Sequence, residues 1–260
     1  MEFFLNEILE DTEAAEILRN DPDLCAKAAS IAKTIAANEP FEKPEEGMMQ
    51  MAVLGYLADE AKKRNDARGI PHEITVASLK DINLWIGNYR RLFHRPGLRE
   101  FNWLIMHYTG NIFRLGRLQF RPMKACERLP SGDWALEVHV PQGEPLDPEE
   151  CLRSFARAKE FFPKHFPEMP ADYFVCHSWL LNRTYEQLLG PDANITRFGK
   201  FFTVFQTNSK TGAVYDRVFG FGFDPADLAN APENTRLQRA VKAHLLAGGA
   251  LPDEKGYRRI

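Results

Sequence analysis

Several things are scarce in this 260-residue chain, and each scarcity removes a class of function. It has four cysteines, Cys25, Cys126, Cys151 and Cys176, set far apart with no Cys-x-x-Cys pair. That spacing gives neither a zinc-binding pattern nor a disulfide framework, so the expectation is reduced thiols packed as small apolar groups. No metal site is expected. No apolar run approaches the roughly 20 residues that span a bilayer. The first residues, Met1-Glu-Phe-Phe-Leu-Asn-Glu, lack the basic start of a secretory signal. A cytoplasmic location without membrane attachment is the default expectation. Excess positive charge is also missing: the formal net charge is −3, which gives no electrostatic reason to expect nucleic acid.

What is present is ordinary globular composition, with 44% hydrophobic and 27% charged residues. That is enough for one large or two small domains. The first hundred residues carry helical spacing and no strand signal. Apolar positions in 1–20 have a broadly helical period. Asp21-Pro22 starts a helix, with Asp as cap and Pro where no amide donor is needed. Asn38-Glu-Pro40 ends it, and Pro44-Glu-Glu opens the next with acid in its first turn. One longer helix is expected over 76–93 and a last one over 98–108, with Gly110 after its end. The Met cluster at 48–51 reads as core filling.

From Asn111 the period changes. A strand is expected over 112–121, ended by Pro122, then a turn at Pro130-Ser-Gly-Asp133. The strand Trp134–Val140 follows, placing Trp134, Leu136, Val138 and Val140 on one face and Ala135, Glu137 and His139 on the other. A hairpin is the simplest link between these two strands. Asp147-Pro148-Glu149-Glu150 is a cap, a proline and two acids, which start a helix through Cys151, Leu152, Phe155, Ala158 and Phe162. The near-continuous apolar run Tyr173–Leu181 suits a central strand. A short helix over 183–189, strands over 198–206 and 214–223, and a final helix over 233–247 complete the expected order. A strand–helix–strand crossover favours parallel pairing of 134–140 with 173–180. Ligands of such sheets sit beyond the strand ends, here His139–Gly143 and Cys176–Arg183.

The segments Gly116-Arg-Leu-Gln-Phe120, Val138-His-Val-Pro-Gln-Gly143, Cys176-His-Ser-Trp-Leu-Leu181 and Asn194-Ile-Thr-Arg-Phe198, in this element order, resemble a bacterial family of acyltransferase-domain proteins. Members combine a helical N-terminal part with a C-terminal part similar to the GNAT acyltransferases. The resemblance implies a two-part α+β and α/β molecule: an all-helical domain over 1–109 and a GNAT-like mixed-sheet domain over 110–260. It implies transfer of an acyl group from acyl-CoA, acetyl-CoA or a similar thioester, to an amine of a small-molecule or peptide acceptor. By the family pattern the donor enters where the two central strands part. Val140, Gln142, Gly143, Asn182 and Asn194 are then candidates to bind it, and Tyr185 falls where members place a tyrosine acid.

The residues themselves supply candidate chemistry. His139 at a strand end could take a proton from an amine, since imidazole exchanges protons near neutral pH. Glu137 on the same face could orient it or act alone. Ser178 could hydrogen-bond the donor or the product thiolate. Adjacent Cys176 and His177 point to opposite strand faces and form no direct dyad, so a nucleophilic Cys176 would need a base from elsewhere, with His139 on the neighbouring strand the obvious candidate. Arg114, Arg117 and Arg121 could meet a phosphate or an acidic substrate. Packing and solvation explain each of these side chains equally simply. The loop Gln142-Gly143-Glu144-Pro145-Leu146-Asp147 departs from the family's Gln/Arg-x-x-Gly-x-Gly/Ala. It has one glycine, an early proline without an amide donor, and carboxylates that repel a pyrophosphate. The alternative reading is a non-catalytic GNAT-derived module that binds a small ligand or a protein.

Overall fold

The structure is a computed structural model that describes residues 1–110, 112–126, 128–129 and 132–260. The expected change of period at Asn111 and the turn residues Pro130 and Ser131 lie outside the described residues. Two compact units are present: residues 1–114 with 141–143, and residues 115–140 with 144–260.

The first unit is helical. A π-helical turn at Phe4–Ile8 precedes α1 (Thr12–Asn20), whose first turn is capped by Asp11 accepting from Ala14 N. In α2 (Pro22–Ala36) the Asp21 carboxylate accepts from Leu24 N, as the Asp-Pro pair predicted. Next come α3 (Met48–Ala67), α4 (His72–Leu79), α5 (Asp81–Phe93) and α6 (Phe101–Tyr108). The acids after Pro44 therefore lie ahead of α3 rather than in its first turn, and the single helix expected over 76–93 is the pair α4 and α5. Met51 is fully buried with Val53, Leu54 and Leu57, so the methionine cluster serves packing. A two-residue strand, β1 (Phe113–Arg114), ends this unit.

The second unit is built on a mixed sheet. Its strands are β2 (Gln119–Lys124), β3 (Trp134–His139), β4 (Ala171–Ser178), β5 (Thr203–Thr211) and β6 (Pro252–Arg259), in the spatial order β2-β3-β4-β6-β5. β2 and β3 form the expected antiparallel hairpin, from Gln119 opposite His139 to Lys124 opposite Trp134. Pro122 sits inside β2 opposite Leu136 instead of ending a strand. β3 and β4 are parallel, as the intervening helix α7 (Pro148–His165) requires. Phe155 of α7 packs on Phe174 of β4 and Phe120 of β2, with ring centroids 4.8 and 5.9 Å apart, and this aromatic layer holds the helix on the sheet.

The order after β4 differs from expectation. A 3-10 turn (Trp179–Leu181) leads to α8 (Thr184–Leu189) and α9 (Asn194–Gly199), so 194–199 is helix and β5 begins only at Thr203. The segment expected as a strand over 214–223 is a π-helical turn at Tyr215–Phe219. After α10 (Arg236–Leu246), capped by Thr235, the chain returns as β6. β6 runs antiparallel to both β4 and β5. It has almost no apolar pattern and was not expected as a strand. It holds its central place through ladders on both edges and through Gly256, where a Cβ would stand 2.9 Å from Phe202 Cβ.

Candidate active site

Residues directly opposite one another in neighbouring strands share a face. Arg121 is opposite Glu137, Glu137 is level with Val175, and His177 is opposite Lys255. By alternation, His139 and His177 then belong to this face, and so does Asp253. The other face carries Phe174 and Cys176, against α7. One face of the sheet therefore bears a row of ionisable groups at the carboxyl ends of β3 and β4.

The row is tightest on β3. Glu137 Oε2 accepts from Arg121 Nη2 and lies 3.3 Å from His139 Nε2. Burial pushes the Glu137 carboxyl upward, but the hydrogen bond and charge of His139, with those of Arg121, outweigh it and bring the pKa to about 2. At neutral pH Glu137 is a fixed anion. It orients its neighbours and is a poor base. On β4, His177 exchanges a hydrogen bond of 3.1 Å with Asn208 Nδ2. Burial raises the pKa of Asp253, against the pull of His177 and Arg217.

The β3–β4 ladder ends at Val138 level with Cys176, whereas β4 continues to Ser178, paired there only with Glu254 of β6. The two central strands thus part beyond Cys176, and His139 stands at that parting.

The remaining candidates are placed as follows. Ser178 spends its hydroxyl oxygen on Leu180 N at 3.2 Å, capping the 3-10 turn. Asn182 is buried. It donates to Pro252 O at 3.1 Å and accepts from Thr184 N at 3.0 Å, which fastens the start of α8 to the start of β6. Tyr185 is 1% exposed, packed with Leu189, Val218 and Leu251, and its hydroxyl meets no hydrogen-bond partner among the described residues. Burial, reinforced by Asp253, raises its pKa, so it stays protonated and is a weak acid. Val140 follows β3 and is half-buried. Gln142 and Gly143 are exposed in a turn grouped with the first unit, with Gly143 at φ +101°. Asn194 is exposed at the first position of α9.

Burial pushes the Cys176 thiol far up, reinforced by the Glu137 charge, which leaves it protonated and unreactive. Among the described residues no group of acids, histidines and cysteines is placed to hold a metal ion, and no helix is long and apolar enough to cross a membrane.

The loop before α7 is held by Arg117, whose Nε and Nη2 donate to Pro145 O and Glu144 O, both at 2.8 Å. Its backbone amide donates to Ser154 Oγ at 2.9 Å. Arg117, a candidate phosphate ligand by its sequence, serves loop carbonyls instead. Asp253 was missed because its strand has no apolar alternation to announce it.

Residues 112–258 match the GNAT-like C-terminal domain family and residues 4–110 the N-acyltransferase N-terminal domain family. The chain belongs to the GNAT-like acyltransferases that carry a helical N-terminal domain. Two solved structures are similar over nearly all of it. One is an acyltransferase in complex with decanoyl-CoA and teicoplanin, with TM-score 0.81 and 26% identity over 99% of this chain and 86% of that one. The other is an acyltransferase mutant in complex with octanoyl-CoA, with TM-score 0.82 and 26% identity over 100% of this chain and 86% of that one. No curated protein matches the chain. Membership bears out the expected helical domain followed by a GNAT-like mixed-sheet domain.

Proposed function

We propose that this GNAT-like acyltransferase moves an acyl group from acyl-CoA to an amine of a small-molecule or peptide acceptor. The observation that carries the reading is the His139–Glu137–Arg121 cluster at the parting of β3 and β4. Its support is membership of an acyltransferase family whose solved relatives are complexes with acyl-CoA, one of them also holding a glycopeptide, teicoplanin.

The chemistry is a thioester aminolysis. The amine nitrogen attacks the carbonyl carbon, a C–N bond forms, the C–S bond breaks, and the amine gives up one proton. His139 accepts that proton. Glu137, ionised at neutral pH, fixes the imidazole through Nε2 and steadies the imidazolium, as a carboxylate does for a histidine base. The imidazolium of His139 then gives its proton to the leaving thiolate, which restores the base and balances the step; Tyr185, the acid the family resemblance offers, is held too firmly protonated by burial to supply it. The backbone of β4 beyond Cys176, on the side β3 leaves, offers an edge to which the amides of a pantetheine arm can hydrogen-bond as an added strand does. Val140 lies across the same parting.

The test is thiol release from acetyl-, octanoyl- and decanoyl-CoA in the presence of a panel of amines. Release that needs the amine and is lost in His139→Ala supports the reading. Donor binding without release from any amine supports the non-catalytic alternative instead.

A further inference from the structure

In a helix that seats an anion, the free amides of the first turn point at it. At α7 no amide from position 148 to 151 is available. Pro148 has no amide hydrogen. The amides of Glu149 and Glu150 both donate to Asp147 Oδ1, at 2.8 and 3.1 Å, and Cys151 N donates to Asp147 O at 3.0 Å. Two arginines beside this turn are matched: Arg153 pairs with Glu150, and Arg197 of α9 lies 3.4 Å from Glu149. Arg117 fixes the preceding loop through two carbonyls. A carboxylate of the chain itself thus takes the two amides of the first turn that an anion would need, and further acids surround it.

The strand edge is different. β4 runs on from Cys176 to Ser178 without a β3 partner. That edge suits the two amides of a pantetheine arm, and nothing about it selects for a nucleotide.

We infer that Asp147 occupies the anion seat at the start of α7, so the donor is held by its acyl-pantetheine arm and not by its diphosphate. This rests on the acyl-transfer reading and names its donor class: acyl-pantetheine thioesters in general, of which acyl-CoA is one. A thioester whose pantetheine ends in a single phosphate ester, as on a carrier domain, belongs to the same class.

Calorimetry on the full chain with CoA and with pantetheine tests this. The two dissociation constants are expected to agree within about threefold, whereas a diphosphate seated on three amides would favour CoA by about a hundredfold or more. In Asp147→Gly, which keeps a tolerated cap and frees the amides of Glu149 and Glu150, CoA is expected to bind about tenfold tighter with pantetheine unchanged. A strong preference for CoA in the unaltered protein, or no gain in Asp147→Gly, overturns the inference and leaves acyl transfer standing. Binding of neither probe overturns the acyl-transfer reading and the inference with it.

Discussion

Glu137 Oε2 lies 3.3 Å from Nε2 of His139, two residues further along the same strand, and Arg121 from the neighbouring strand closes on the same oxygen. A period-2 strand sets this up, because residues i and i+2 share a face and a short carboxylate can reach the next ring but one. If the pair works as base and orienting anion, Glu137→Gln keeps the shape and removes the charge. Acylation turnover is expected to fall by about ten- to a hundredfold, since an orienting group contributes less than the base it serves. The donor's dissociation constant should stay put. Steady-state kinetics with a separate binding measurement would show the split.

The same contact makes stability depend on acid. The folded pKa of Glu137, about 2, lies below that of an exposed carboxylate. The group therefore stabilises the fold fully above about pH 4.5, and the contribution is lost as pH falls from there towards 2. Its size is roughly 3 kcal/mol at neutral pH, taken from the difference between the two values. Urea unfolding at pH 7 and pH 3 should show a smaller loss in Glu137→Gln than in the unaltered protein.

Asn182 links the end of β4, α8 and β6 through both ends of its amide. Asn182→Ala leaves Pro252 O and Thr184 N without these partners and is expected to cost about 1–3 kcal/mol. Thermal unfolding reads the loss directly. A donor affinity that falls while stability is unchanged would instead mean that Asn182 serves a ligand.

Cys176 is buried and its thiol is held protonated. Cys176→Ala is expected to leave turnover intact and to lower stability modestly through the lost packing. Alkylating agents should leave turnover of the folded protein unaffected at this position, which mass spectrometry of the labelled peptide would show.

The legible parts of the fold were those where one local signal decides the outcome. Asp147 and Pro148 wrote the start of α7, and the alternation of Trp134–His139 wrote β3 and put Glu137 and His139 on one face. Parallel pairing of β3 with β4 followed from the crossover helix alone. The C-terminal half of the sheet was hidden for a physical reason. β6 reads Pro252-Asp-Glu-Lys-Gly-Tyr-Arg-Arg259, and its cohesion comes from ladders on both edges, from Gly256 and from Arg258 lying over Phe155, 5.3 Å from the ring centroid. None of these shows as hydrophobic period. Tyr215–Phe219 misled in the opposite sense, with aromatic and β-branched residues packed in a π-helical turn. At the site, His139 and Glu137 were legible from the strand, whereas their link to Arg121 needed the hairpin register. Asp253 needed β6 itself.

Gly256 gives a direct check on that hidden strand. A Cβ there would meet Phe202 Cβ at 2.9 Å, with Leu181 Cδ1 and Thr203 O at 3.2 Å. Gly256→Val is expected to destabilise by about 1–3 kcal/mol through overpacking. A neutral result in chemical denaturation would contradict the close approach of β6 to its neighbours.

The central claim is that the parting of β3 and β4 is a site of acyl transfer with His139 as its base. Thiol release and N-acylated product, followed together in the unaltered protein and in His139→Gln with saturating octanoyl-CoA and amine, test it most directly. The account predicts equal amounts of thiol and product, and a fall of about a hundredfold or more in His139→Gln with donor binding retained. Equal turnover in the two proteins, or donor binding with no amine-dependent release in either, would contradict it.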